Sequence, residues 1–328
     1  MSTRSSLHPA TFFLAVLFAI TAQAQGDPAK SYPSKPIRII VAFAAGGGTD
    51  IIARVVGQKL SEAFGQPVLV ENKVGAGGII GTEFVAKSAP DGHTLLMSPS
   101  TAIIINPIMF AKLPYSSTAD FVPISTVVSF PLLLVVNASE PIRSVPELIE
   151  YVKTRPNKAN FAGSAGIFQL ALELFKLRSG LPMEYIPYKG TNETANAVMA
   201  GDALMGIVDA PPVTAALKSG KVRLLAVTSA KRSSFFPDAP TLVESGFPDM
   251  EIQGWMAFLS PAGTPSPITR KLQEEINRIV KLPEVRERIL SFQVEPSANT
   301  SEELSRMISS DISRWTAIAK AANIKPSN

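Results

Sequence analysis

An apolar run that stops at three glycines and resumes as an amphipathic helix restricts this chain more than any other feature. In "IRIIVAFAAGGGTDIIARVV", residues 37–56, β-branched residues fill the first half, glycines 46–48 break it, and apolar residues at helical spacing follow. A buried strand feeding a helix through bare backbone is the opening of an α/β layered unit. Glycine amides that no Cβ covers, set beside the positive end of a helix dipole, make a cradle for an anion. Neither G-x-G-x-x-G nor the Gly-Lys-Ser/Thr of a P-loop is present, so the turn does not read as a nucleotide site. Thr49 or Asp50 is placed to cap the helix.

The alternation continues along the chain. Strands are expected at residues 37–43, 68–70, 94–97, 130–137, 183–186, 204–208 and 224–227, with helical periodicity at 51–64, 79–87, 168–180 and 302–322. Ser144 with Glu147 and Thr300 with Glu303 have capping-box spacing, and Gly180 is a natural helix stop. About 300 residues exceed one ordinary core. Two lobes are expected: residues 33–129 plus 255–328 in one, 130–254 in the other. Two crossings between lobes favour a hinge, with a ligand cleft at the carboxyl ends of the strands.

Composition removes several classes of function. The first 24 residues carry one positive charge, Arg4, then an apolar stretch over 11–22 and small residues at Ala22 and Ala24. That is the layout of a secretory signal peptide cleaved after Ala24, and the stretch is short for a membrane span. Without Arg4 the 31 basic residues become 30 against 27 acidic, a net charge near +3, dispersed rather than clustered. Nucleic acid is therefore not an expected partner. The chain has no cysteine and two histidines, one of them in the signal region, which leaves no thiol nucleophile and no multi-histidine metal site. No cofactor is expected. A secreted hydrolase would rest on His93 alone, without a G-x-S-x-G elbow, and His93 in "PDGHTLL" reads as a surface turn residue.

Two further glycine turns open helices: Gly77 and Gly78 in "VGAGGIIGTEFVA", and Gly163-Ser164-Ala165-Gly166 in "NFAGSAGIFQLALELF". The second would lie in the other lobe, so two helix mouths could grip one carboxylate from both sides. Ser98, Ser100 and Thr101 offer neutral hydroxyls after the third strand. Phe168, Gln169 and Tyr188 are further candidates, with Phe168 a possible aromatic wall.

Together, "YPSKPIRIIVAFAAGGGTD", "QPVLVENKVGAGGIIGTEFVAKSAPDGHTLLM", "ELFK…PYKG" and "SGKVRLLAVTSAKRS…PDAPTLVESGFP" resemble the Bug-type solute receptors of tripartite tricarboxylate transporters over nearly all of the chain. The resemblance implies a two-lobed flytrap, without enzymatic activity, that captures an organic carboxylate in the periplasm and hands it to the membrane permease subunits. It is expected to act as a monomer; a sensory receptor is the alternative. Ligand contact carries over to Ala45, Gly46, Gly47, Gly48, Thr49 and Asp50, to Ser164, Ala165 and Gly166, and to Asp209. Three departures stand out: Ala45 replaces the family's usual proline, the segment between Gly166 and Leu170 is only "IFQ", and "GDALMGIVD" fits the acidic segment imperfectly. The neutral hydroxyls and the Phe168 wall point toward an aromatic or weakly polar carboxylate, with a dicarboxylate as the other candidate.

Overall fold

In the computed structural model, residues 29–155, 160–164 and 166–326 are described. The segment expected to be a signal peptide and Ala165 lie outside them. Two sheets organise the chain. The first contains β1 (Ile37–Val41), β2 (Val68–Asn72), β3 (Thr94–Pro99), β4 (Phe121–Pro131), β10 (Gln253–Pro261) and β11 (Glu295–Pro296), in the order β11-β4-β10-β3-β1-β2. The second contains β5 (Leu133–Asn137), β6 (Asn160–Ser164), β7 (Glu184–Tyr188), β8 (Met205–Val208) and β9 (Val222–Val227), in the order β7-β6-β8-β5-β9.

The parallel β1–β2 and β1–β3 pairs come from the strand–helix alternation, with α1 (Gly48–Phe64) and α2 (Ile79–Ala86) as crossovers. Neither sheet is purely parallel. β10 runs antiparallel to both β3 and β4, and β5 antiparallel to both β8 and β9. The stretch "GWMAFLSP", where no strand is expected above, forms most of β10 at the centre of the first sheet. Its pairing with β4 joins residues more than a hundred positions apart, beyond the reach of local periodicity.

Successive strand side chains face opposite sides of the sheet, and in β1 both sides are buried. Ile37, Ile39 and Val41 pack with Ile52, Val56 and Leu60 of α1 and with Leu272, Ile276 and Ile279 of α8 (Ser266–Val280). The opposite face takes Ile40 and Leu96, then runs on through Leu304, Ile308, Trp315 and Ile318 of α10 (Ser301–Ala321) into the second sheet. There Leu134, Val136, Phe161 and, from α5 (Ile167–Ser179), Leu170 and Leu174 continue the same core. One apolar layer is thus shared by both lobes. A separate cluster backs the second sheet through α6 (Thr191–Ala200) and α7 (Ala210–Lys218).

Three caps follow their sequence signals. Thr300 and Glu303 form a complete capping box, and the Ser144 hydroxyl accepts the Glu147 N–H at 3.3 Å. Helix α5 ends at Gly180 in the left-handed region, φ +67°. His93 departs from its reading. It is buried, its Nε2 accepts the Ser34 N–H at 3.3 Å, its Nδ1 lies 3.0 Å from the Asp91 carbonyl, and its ring meets Tyr32 edge-on. The turn folds back beneath the N-terminal segment at residues 32–34, a non-local contact.

The chain passes between the sheets at Pro131–Leu133 and again just before Gln253, and the two passages are neighbours, with Gly254 opposite Phe130 and Gln253 opposite Pro131. A Cβ on Gly254 would stand 2.3 Å from the Phe130 ring. Gly254→Ala should therefore push Phe130 aside and cost about 1–3 kcal/mol. Thermal unfolding checks this: a Tm unchanged from wild type would contradict it.

Candidate functional site

The glycine turn between β1 and α1 is exposed from residue 44 to residue 48. Gly46 has φ +79°, a conformation that costs a side chain strain and glycine none. Two of the loop's amides are already spent: the Gly46 N–H donates to Asp50 Oδ2 at 2.9 Å, and the Gly47 N–H to the Ala44 carbonyl at 3.3 Å. The helix begins after Gly47 with no side-chain cap. The amides of Gly48, Thr49 and Asp50 then have no acceptor within the helix. They, rather than the amides of Gly46 and Gly47, are the donors offered to an anion.

Neither Thr49 nor Asp50 caps α1. Asp50 is 3% exposed and works in the opposite direction, as a brace. Its carboxylate accepts from the Gly46 amide, from Asn72 Nδ2 at 3.0 Å and from Arg54 Nε at 3.1 Å. Burial alone would raise its pKa, but Arg54, Gly46 and Asn72 together hold it below the usual carboxylate value. Asn72, at the end of β2, also donates to the Phe43 carbonyl at 3.0 Å. One buried carboxylate thus fixes the turn to its own helix and to the neighbouring strand.

Helix α1 opens onto a cavity of ≈ 460 Å³, within the usual range for small-molecule sites. Gly46, Gly48 and Thr49 line one side; Thr191 and Asn192 at the start of α6, and Asp209 and Ala210 at the start of α7, line the other. Helix α6 also starts without a side-chain cap, after Gly190. Phe130, Met256 and Phe292 form apolar walls, and among the described residues no Lys, Arg or His lines the cavity. Asp209 Oδ1 is buried with no hydrogen-bond partner. Desolvation raises the Asp209 pKa, with the Thr191 hydroxyl opposing, and no charged side chain contributes.

The remaining candidates lie elsewhere. Ala45 and Gly47 are exposed on the loop without lining the cavity. Gly77 is exposed and its carbonyl accepts from Asn106 at 3.0 Å, while Gly78 is wedged where a Cβ would stand 2.9 Å from Phe43. Ser98 is fully buried, with its hydroxyl donating to the Pro99 carbonyl at 2.9 Å, and Ser100 is buried beside it. Ser164 and Gly166 are buried at the mouth of α5, where a Cβ on Gly166 would lie 3.6 Å from Ile105 and 3.9 Å from Thr101. The α5 mouth thus meets the π-helical turn Thr101–Ile105 of the first lobe, whereas the mouths sharing the cavity with α1 are those of α6 and α7. Phe168 is half-buried against the shared core, and Gln169 is half-buried beside it. Tyr188, also half-buried, packs behind the second sheet.

Reading by pattern missed Thr191, Asn192, Phe130, Met256 and Phe292. "KGTNE" carries a helix-start signal that could have found Thr191. The apolar walls depend on the β4–β10 register and leave no local mark. Asp50→Asn removes the charge from a buried brace with three donors and should cost about 1–3 kcal/mol. The stabilisation from the depressed Asp50 pKa is full above the unfolded value of 3.8 and is lost as pH falls through the lower folded value. Acid unfolding of wild type against Asp50→Asn checks both points, and superimposable curves would contradict the brace.

Comparison with known proteins bears on this geometry. The model of the tripartite tricarboxylate transporter family receptor matches residues 52–324. The chain is similar to protein BugT of Bordetella pertussis, at 37% identity over 300 residues, covering 90% of this chain and 92% of that protein. It is similar to a Rhodopseudomonas palustris protein solved with adipate, at 30% identity and TM-score 0.76, covering 90% of this chain and 100% of the other. It is also similar to a protein of that organism solved with bound malate, at 28% identity and TM-score 0.71, covering 88% and 99% of the two chains.

Proposed function

This chain belongs to the tripartite tricarboxylate transporter receptor family, and from that premise we propose that it captures a small organic carboxylate between its lobes and delivers it to a membrane permease. Its fold is the two-lobed one of periplasmic binding proteins, which are not enzymes. The observation that carries the reading is the uncapped start of α1 opening onto a cavity with no cationic side chain among the described residues. An anion there is held by oriented backbone donors and a helix dipole, not by an ion pair. Each charge-assisted hydrogen bond supplies about 1.5–3 kcal/mol, so two or three supply roughly 3–9 kcal/mol, and burial of the ligand body on the apolar walls supplies the rest of the roughly 8 kcal/mol net that micromolar binding needs.

The body of the ligand lies along Phe130, Phe292 and Met256 in this reading, and its far end approaches Asp209. The adipate and malate of the two structural relatives favour a diacid of similar length. Export to the periplasm through a signal peptide cleaved after Ala24 completes the proposal.

Isothermal titration of mono- and dicarboxylates, adipate and malate among them, tests it. Saturable binding without turnover is expected, and silence across the panel would remove the reading. The sign of the pH dependence follows from Asp209. An ionised Asp209 repels a second carboxylate, and its pKa lies above the ordinary 3.8. Affinity for a diacid should therefore rise as pH falls from neutral toward that raised value, and Asp209→Asn should flatten the dependence. A wild-type affinity that weakens on acidification would contradict the placement of the second carboxylate. For delivery, loss of uptake on deleting the gene, with transcription of transport genes unchanged, is the expected outcome.

A further inference from the structure

The two hinge strands carry a second cavity on their other face. Trp255 stands opposite Ser129 in the β4–β10 register, one step from the Gly254–Phe130 pair. Successive residues on a strand point to opposite faces, and directly paired residues share a face. Phe130 and Met256 accordingly line the carboxylate cavity, while Ser129 and Trp255 line a crevice of ≈ 700 Å³ behind it. The crevice is bounded by α5 of the second lobe, α10 of the first, and the return segment at residues 248–253.

The two arginines of this crevice are already committed. Arg314 of α10 donates through Nη1 to the Glu251 carbonyl at 2.7 Å and through Nη2 to the Asp249 carbonyl. Arg178 of α5 holds the Asp249 carboxylate at 2.7 Å. The return segment is anchored to α5 by Phe247, whose ring centroid lies 5.2 Å from that of Phe175. It therefore moves with the second lobe, and the Arg314 bonds cross from one lobe to the other. Arginine donors spent across the gap between two lobes describe a tie.

We infer that Arg314, with Asp249 and Arg178 behind it, is a strap across the back of the hinge that limits how far the front cavity can open or close. The two cavities share one pair of strands as a partition, so a rotation that narrows the front widens the back. Arg314 fixes the back at its present width. Releasing it frees the rotation without touching any residue of the carboxylate cavity.

The test needs no ligand, so it stands apart from the proposed function. The chain has no cysteine, so Ala63→Cys on α1 and Ala215→Cys on α7, both exposed, accept one spin label per lobe. Pulsed dipolar spectroscopy then reads the distance between lobes. The strapped protein should give one narrow distribution. Arg314→Gln and Arg178→Glu should each broaden it, with about a two- to fivefold rise in the minor population, the range that exposed pairs can carry. Adding Asp249→Arg to Arg178→Glu should restore the narrow distribution, an outcome that mere loosening of the fold would not produce. The chain's two tryptophans, Trp255 and Trp315, both line the crevice, so their emission should shift in the broadened variants and return in the charge-swapped one. An Arg314→Gln distribution identical to the strapped protein, or a charge swap that does not restore it, would overturn the inference.

Discussion

The pairing of β4 with β10 is the constraint on which the other features depend. These strands lie side by side in the first sheet and carry both passages into the second. Their alternation sends Phe130 and Met256 to the front and Ser129 and Trp255 to the back. Gly254 has no side chain because the Phe130 ring fills the place a Cβ would take. Hinge, cavity wall and rear crevice are consequences of one register, and a shift of one residue would exchange the two faces.

The glycine turn is a second, local constraint that the hinge puts to use. Asp50 spends its carboxylate inward on the Gly46 amide, on Asn72 and on Arg54. That leaves the loop rigid and its outward donors unopposed by any nearby acid of its own. Preorganised donors lose little on meeting a ligand, which is why backbone can substitute for a cationic side chain. The cost falls on Asp209, whose buried Oδ1 lacks a partner on the opposite wall.

Much of this was legible in the residues, for reasons that differ by element. The turn at 46–48 and the caps at Thr300 and Gly180 are local, and local chemistry determines them. Periodicity suggested an α/β layering, chain length suggested two lobes, and the family resemblance added the flytrap arrangement of the two. Strand β10 was invisible because its environment comes from partners distant in sequence. His93 appeared to be a surface residue because nothing near it reveals the Tyr32 ring that covers it. Phe168 offered itself as the aromatic wall, yet it packs on the shared core, and Phe130 and Phe292 line the cavity. Asp50 was read as a possible cap and is a brace, a distinction made by a hydrogen bond pointing back along the chain.

The central claim is that main-chain donors at the start of α1 hold the ligand's negative charge. A crystal structure of the protein with the tightest-binding acid of a carboxylate panel addresses it most directly. The account predicts a carboxylate within hydrogen-bonding distance of the Gly48 and Thr49 amides, directly or through one ordered water. A carboxylate held elsewhere, with those amides facing only solvent, would contradict it.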